Sequence, residues 1–242
     1  MVLLLAWEGV CRLGWVDPIL LAAPSDILKA AWPVPPRLRD AFLLTAFEIV
    51  VSAGIAIVLG LCVGLLVGSQ PLLKEALVPF LDAGNAVPKI MWYPLLVITM
   101  GLGAQSKIAY GVLAGFLPVA LVTIDAIQAV DAQLVRAARS FGATRVQTIL
   151  RVMLPMALPG IIAGLRIGIT LVSIGIVVAE MLASFNGLGF WISYHRTTFD
   201  APQIYLGILL SLVLTLALSS ALAAIERRAG RWRETPPENN RP

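Results

Sequence analysis

Three ionisable side chains lie inside long apolar stretches of this sequence, where each needs a partner or a function. Glu48 and Glu180 fall within candidate membrane helices, and Arg166 follows Pro155 by eleven positions. Charged groups are costly within a bilayer and commonly mark a solute or ion pathway. Because Glu180 precedes a Gly187-Leu-Gly189 turn, two roles are open for it: lining a path or fixing that turn. For Arg166 we expect a structural role, with its long side chain reaching the headgroups.

No constellation in the sequence suits catalysis or metal binding. His195 is the single histidine, and Cys11 and Cys62 form no CxxC pair. A Walker A loop requires a Gly-Lys dipeptide, which the sequence lacks. We therefore expect that the chain is not an enzyme and binds neither a metal nor a cofactor of its own.

The composition is that of a membrane protein. Of 242 residues, 59% are hydrophobic and 13% are charged, against about 45–50% and about 25% in soluble domains. Mean hydropathy is +0.88. Residues 49–73 and 201–225 are two runs of 25 residues without a charged side chain, and about 20 apolar residues span a bilayer. A soluble enzyme and a disordered chain are excluded. The net charge is +4, and the basic residues lie at the ends of the apolar blocks, as membrane topology requires. We therefore expect no nucleic-acid partner.

The apolar blocks predict a polytopic, all-α bundle that forms a single transmembrane domain over 1–242. With both termini cytoplasmic, eleven Lys and Arg residues lie inside and six, Lys107 among them, lie outside, which favours this orientation. Segment 17–40 carries five prolines and predicts an irregular external loop. The tail 227–242 is polar and is expected in the cytoplasm. About six membrane helices are predicted, near 1–16, 41–69, 76–101, 107–128, 157–184 and 202–226.

The third block predicts a broken helix. It contains Pro79, Pro88 and Pro94, with Asn85 among them. Proline removes a backbone hydrogen bond, and freed groups in a bilayer must face protein or a water-filled cavity. Two interpretations stay open, a solute path and a plain kink.

Glycines four residues apart recur in several blocks. Such rows let helix backbones approach closely within lipid. They indicate either tight packing of the bundle or helices that move against one another. The rows are Gly60, Gly64 and Gly68; Gly160, Gly164 and Gly168; and Gly111 and Gly115.

Segment 129–155 predicts two short amphipathic helices joined by a sharp turn. Residues 131–141 place Leu134, Ala137, Ala138 and Phe141 on one helix face. Gly142 suits the left-handed residue that ends a helix. Thr144 and Gln147 then fit a capping box. We expect Pro155 to end the second helix and Pro159 to open the next span.

This segment resembles the cytoplasmic "EAA" loop of ABC-transporter importer permeases. The run Arg136-Ala-Ala-Arg-Ser-Phe-Gly-Ala143, followed by Leu154-Pro155 and Pro159, matches that motif in its alanines, glycine and prolines, with Arg136 where the motif has glutamate. Other stretches resemble the branch that handles nitrate, sulfonates, taurine and thiamine-precursor pyrimidines. They are Pro88-Lys89-Ile90 with Pro94, Gly101-Leu-Gly103, Gly164-Leu-Arg166, Ala179-Glu180-Met181 and Gly187-Leu-Gly189-Phe190.

The resemblance implies a MetI-like type I permease in the bacterial cytoplasmic (inner) membrane. It implies a separate ATPase subunit that carries ATP, an extracytoplasmic substrate-binding protein, and a second permease copy. It implies that the coupling residues are Arg136, Ala137, Ala138, Phe141, Gly142, Ala143, Pro155 and Pro159. Our candidates for the translocation path are Glu48, Asn85, Pro88, Pro94 and Glu180. The alternative from another class is a self-sufficient, ion-driven secondary transporter, which would use Glu48 and Glu180 for ion coupling.

Overall fold

The computed structural model describes residues 2–230, with side chains as far as residue 224. Throughout these residues the regular secondary structure is helical. The elements are α1 (Val2–Arg12), α2 (Pro24–Ala30), α3 (Pro36–Gly68), α4 (Pro71–Ala86), a 3₁₀ turn (Lys89–Trp92), α5 (Tyr93–Met100), α6 (Ala104–Gln128), α7 (Ala132–Ser140), α8 (Arg145–Thr148), a π-helical turn (Ile149–Met153), α9 (Leu154–Leu182), α10 (Leu188–Thr197) and α11 (Ala201–Gly230).

Four helical stretches within the described residues are long and apolar enough to cross a membrane, and they match four of the six predicted spans. They are Pro36–Gly68, Ala104–Gln128, Arg145–Leu182 and Ala201–Ala224. The other two predicted spans need correction. α1 has 11 residues, which is too short to span. The block at 76–101 is divided among α4, the 3₁₀ turn and α5, as its prolines suggested.

The helix after the loop begins earlier than predicted. Residues Arg145–Leu182 form one continuous helical stretch, so Pro155 does not end a helix and Pro159 does not open one. The π-helical turn explains this, because the Leu154 N–H bonds the Ile149 carbonyl five residues back. A wider turn lets the chain pass a proline, whose ring would otherwise press on the carbonyl four residues earlier.

The expected external loop 17–40 is partly helical. It contains α2, and α3 already begins at Pro36. Proline favours the first helical position because its missing N–H has no intrahelical partner there. Residues 227–230 continue α11. The remainder of the predicted tail, 231–242, lies outside the described residues.

The described residues divide into two compact units. The first comprises the chain up to Ser52, Ile90–Gly111 and Val172–Leu216. Its apolar core is built from buried side chains such as Ile27, Leu38, Leu188 and Leu206, with Trp191 packed against them. Ionic contacts hold α1 on α2. Arg12 of α1 pairs with Asp26 of α2 at 3.0 Å, and within α1 it also pairs with Glu8 at 2.9 Å.

The second unit comprises Ala53–Lys89, Val112–Leu171 and the chain from Ala217. Two of the glycine rows pack against α6 here. A Cβ added at Gly64 of α3 would lie 2.5 Å from Thr123 Cβ, and one added at Gly164 of α9 would lie 2.8 Å from Val122 Cγ1. Glycine at these positions therefore permits the close approach of α3 and α9 to α6.

Candidate functional site

The turn at Gly142 is built as the sequence predicts. Asp131 caps α7 by accepting the Gln133 N–H at 2.7 Å. Gly142 has φ +82°, in the left-handed region, and its N–H bonds the Arg139 carbonyl at 3.0 Å. The Ala143 N–H bonds the Ala138 carbonyl at 3.1 Å. The helix thus ends in a compact turn in which its last carbonyls are satisfied.

A capping box starts the second helix. Thr144 accepts the Gln147 N–H at 3.3 Å, and the Gln147 side chain accepts the Thr144 N–H at 2.9 Å. The reciprocal pair fixes the direction of α8 immediately after the turn. Both helix ends that flank Gly142 are therefore set by local interactions.

Several large apolar side chains of this segment are exposed. Phe141 at the turn is 92% accessible, and Leu134, Val146 and Leu150 are also exposed. In the second helix, by contrast, Ile149 and Met153 are half-buried. Leu134 and Phe141 precede the long helical stretch Arg145–Leu182, and large exposed apolar side chains at such a place favour contact with another protein.

The basic residues of this segment border two pockets of the second unit. Arg139 and Arg145 line a pocket of about 620 Å³ with Leu66 and Ser69. Arg136 lines a neighbouring one of about 550 Å³ that also includes Glu75. Arg136, Ala137 and Gly142 are exposed, whereas Ala138 and Ala143 are half-buried. Pro155 and Pro159 both lie within α9.

Within the first unit, Glu48 and Glu180 contact the same ammonium group. Lys107 Nζ lies 2.5 Å from a Glu48 carboxylate oxygen and 4.0 Å from a Glu180 oxygen. All three side chains are buried, at 3% exposure or less. Buried charges persist only when paired and hydrogen-bonded. The cluster therefore ties α3, α6 and α9 together.

Glu180 also fixes the start of α10. Its Oε2 accepts the Gly189 N–H at 2.8 Å, and its Oε1 accepts the Thr45 hydroxyl at 2.7 Å. The Thr45 hydroxyl in turn accepts the Leu188 N–H at 2.9 Å. A carboxylate satisfies unpaired amides at a helix N-terminus. Of the two roles left open for Glu180, this geometry supports fixing the turn.

Gly187 leaves room for this carboxylate. Its φ is +108°, and a Cβ there would collide with the Glu180 carboxylate. Glycine is thus required for its backbone conformation and for the close approach of Glu180.

Sequence reasoning missed Lys107, which it counted among the external basic residues. The structure buries Lys107 at the start of α6 instead. Lys107 is 59 residues from Glu48 and 73 from Glu180 along the chain, so no local spacing relates them. The available signal was charge balance, since two buried acids require a buried base.

The remaining path candidates lie along the broken segment. Asn85, in the second unit, is half-buried, and its carbonyl and side-chain oxygens each accept a hydrogen bond from Lys89 Nζ at 3.0 Å. Pro88 is exposed in the same unit, and Pro94 is exposed in the first. Beside Pro94, buried Tyr93 donates its hydroxyl to the Ala183 carbonyl at 3.0 Å.

Comparison with known proteins shows a consistent set of relatives. The chain is 32% identical to the taurine transport system permease protein TauC of Escherichia coli over 238 residues, which cover 96% of this chain and 86% of TauC. It is 29% identical to the formylaminopyrimidine transport permease protein ThiX of Halalkalibacterium halodurans, and the match covers 97% of this chain and 94% of ThiX.

The fold has a counterpart among solved structures. A chain of the MetNI methionine ABC transporter, in an inward-facing conformation, superposes with a TM-score of 0.72 at 22% identity, covering 82% of this chain and 99% of that one. The sequence model for the binding-protein-dependent transport system inner membrane component matches residues 56–231. The all-α, MetI-like fold is thereby confirmed, and the chain belongs to this family of ABC-transporter permeases.

Proposed function

We propose that this membrane permease carries a small solute and couples that movement to a separate ATPase through residues 129–155. The observation that carries the proposal is the exposed surface at Gly142. There a left-handed turn and a capping box hold Phe141 and Val146 in the open, 92% and 64% accessible. An exposed apolar face beside arginines suits the groove of a soluble partner.

The solute class that we propose is that of nitrate, sulfonates and taurine or of thiamine-precursor pyrimidines. The names of the relatives support this class, since they are permeases for taurine and for formylaminopyrimidine. A binding protein outside the membrane would deliver the solute. The broken segment that carries Asn85, Pro88 and Pro94 would line the path, because backbone irregularity at membrane depth requires a cavity or a protein cover. Glu48 and Glu180 would hold α3, α6 and α9 together within the first unit.

We also propose that both termini are cytoplasmic. The excess of Lys and Arg on that side, which includes Arg136, Arg139 and Arg145, supports this orientation. It places the coupling segment where ATP is available.

Replacing Gly142 tests the coupling. A residue with a Cβ costs about 1–2 kcal/mol in the left-handed conformation. No atom lies within 4 Å of the added Cβ, so strain in the turn is the expected effect. In proteoliposomes that also contain a cognate ATPase and binding protein, Gly142→Val should abolish ATP-driven uptake while the permease remains folded and inserted. Asparagine tolerates the left-handed conformation, so Gly142→Asn should keep ATP-driven uptake. Equal uptake by both variants would contradict the proposal.

Arg136 tests the partner surface. If it faces an acidic group on the ATPase, Arg136→Glu should weaken assembly more at low salt than at high salt, because salt screens the new repulsion. Assembly can be measured by the affinity of the purified subunits at two ionic strengths. An unchanged affinity at both ionic strengths would show that Arg136 is not part of the interface. The role of the Gly142 turn would then rest on the uptake assay alone.

The secondary transporter remains the alternative to test. It would need free acidic groups for ion coupling, whereas Glu48 and Glu180 contact Lys107. Liposomes that contain this chain alone should accumulate no taurine or sulfonate under a proton or sodium gradient. Uptake driven by a gradient without an ATPase would overturn the ABC mechanism for this chain.

A further inference from the structure

A pocket of about 400 Å³ opens in the first unit. One wall is the start of α3, another is α10, and Asn186 lies at the loop before α10. Its lining residues are Arg37, Asp40, Asn186, Phe190, Trp191, Tyr194 and His195.

The pocket presents two opposite charges without internal partners. Arg37 and Asp40 are both exposed and are three residues apart on α3, so both project from the same side of the helix about 4.5 Å apart along its axis. Within the described residues, neither side chain forms an ion pair or a hydrogen bond with protein. Two such charges beside one pocket are free to bind a ligand that carries both complementary charges.

The opposite wall is aromatic. On α10, Phe190 lies one helical turn before Tyr194, and Trp191 lies one turn before His195. The Trp191 and His195 rings lie 4.5 Å apart, and Tyr194 meets His195 edge-on at 5.3 Å. The Trp191 indole N–H bonds the Gln203 carbonyl at 3.2 Å, which fixes the ring. Aromatic faces attract cations, and an ammonium group is a typical partner.

His195 is the other lining residue that can carry a positive charge. Burial lowers the pKa of His195, and the nearby Asp200 carboxylate, 3.5 Å from its Nδ1, opposes this effect. The net effect disfavours the imidazolium, and Arg37 is the permanent cation among the lining residues. The pocket thus offers a guanidinium and an amide to an anion, and a carboxylate and aromatic faces to an ammonium.

Arg37 and Asp40 lie at one end of a helix that is long and apolar enough to cross a membrane, the level at which lipid headgroups would lie. Arg37 and Asp40 lie in the first turns of the 33-residue helix α3, next to its apolar run. Tryptophan and tyrosine concentrate at the same level of membrane proteins.

We propose that this pocket binds a short zwitterion in which a carbon linker joins an ammonium group to a phosphate or sulfonate. Arg37 and Asn186 would bind the oxyanion, while Asp40 and the aromatic wall would bind the ammonium. Two sources carry this chemistry. One is the headgroup of phosphatidylethanolamine, and the other is a soluble aminoalkyl sulfonate or phosphate.

Lipid binding to the purified full chain tests the proposal. Phosphatidylethanolamine, phosphatidylcholine and phosphatidylglycerol with identical acyl chains are titrated in detergent, and the bound lipid is counted by native mass spectrometry. Losing one charged hydrogen bond should raise the Kd for phosphatidylethanolamine about tenfold or more, in Arg37→Gln and in Asp40→Asn. Arg39→Gln is the matched control, because Arg39 is exposed on the same turn of α3 but does not line the pocket. It should bind like the parent chain.

The lipid comparison separates a zwitterion site from a general anion site. Asp40→Asn should remove the preference for phosphatidylethanolamine over phosphatidylglycerol, since only the former has an ammonium group. Arg37→Lys and Asp40→Glu keep both charges and should keep that preference, which guards against misfolding as the cause. An unchanged Kd in Arg37→Gln and Asp40→Asn, or equal binding of all three lipids by the parent, would overturn the proposal.

Competition identifies the source of the zwitterion. If taurine or O-phosphoethanolamine at millimolar concentration displaces phosphatidylethanolamine from both the parent and Arg39→Gln, the pocket accepts soluble zwitterions. If the lipid stays bound, the occupant is the membrane headgroup. Both results support the zwitterion chemistry. The result of the Gly142→Val uptake assay does not depend on lipid binding in this pocket, so the two proposals are tested separately.

Discussion

At the scale of single residues, the Lys107 ammonium group is the basic partner of two buried carboxylates in the first unit. It contacts both Glu48 and Glu180, and none of these side chains has more than 3% exposure. Removing one partner of a buried pair leaves an uncompensated charge, which costs more than the pair itself contributes. The Glu180 carboxylate also binds the Gly189 N–H at the start of α10, so a change that displaces Glu180 would also disturb the turn at Gly187.

We expect Lys107→Met to lower the free energy of unfolding by about 3–5 kcal/mol. Adding Glu48→Gln should recover part of that loss, because one unpaired carboxylate is then removed. The measurement is unfolding in detergent for the parent, both single variants and the double variant. Lys29→Met is the control, since its ion pair with Asp26 is exposed and should contribute little. A loss in Lys107→Met no larger than in Lys29→Met would contradict a role for the cluster in stability.

At the scale of helices, glycine rows bring α3 and α9 onto α6. Val119 of α6 is fully buried and lies between the two rows, near Gly60 of α3 and Gly168 of α9. In a bilayer such packing relies on close backbone approach, because lipid is as apolar as the helices. The two interpretations of these rows, packing and movement, both require that close approach.

We expect Gly168→Ala to destabilise the chain by about 1–3 kcal/mol through overpacking. The new Cβ would collide with Val119 Cγ2, whereas Val119 Cβ lies 3.8 Å away. Val119→Ala should therefore relieve Gly168→Ala, with a favourable coupling energy in a double-mutant cycle of thermal unfolding. Gly54→Ala in α3 meets no atom within 4 Å and should leave stability unchanged. Strictly additive effects of Gly168→Ala and Val119→Ala would argue against this contact.

The sequence predicted those elements whose signals are local. Hydropathy and length gave the four long helices, and the Gly142 turn and Thr144 capping box depend on residues within a few positions of each other. Tertiary contacts could not be predicted, because no local spacing relates Lys107 to Glu180. For the same reason the sequence did not show that Glu180 caps the start of α10. The continuity of 145–182 was missed since Pro155 normally stops a helix, and a π-helical turn is not a sequence signal.

At the scale of the whole molecule, one chain leaves much of its apolar surface uncovered. Only 17% of the apolar window in Ala201–Ala224 is buried within this chain, and Ile98 on α5 is 81% accessible. Lipid can cover such surface, and so can a second copy of the chain. Permeases of this family work in general with an ATPase and a binding protein, which would also cover part of the surface.

We predict that the working complex contains two copies of this chain, because a bundle of this size supplies half of a path. Homodimers with twofold symmetry are the commonest oligomers, and self-complementary apolar faces suit them. The complex would be purified in mild detergent with its ATPase, and its native mass should include twice 25.9 kDa from the permease. Tagging one of two co-expressed copies should also recover the untagged copy. An active complex with a single copy would contradict the homodimer, and a second, different permease at that place would make it a heterodimer.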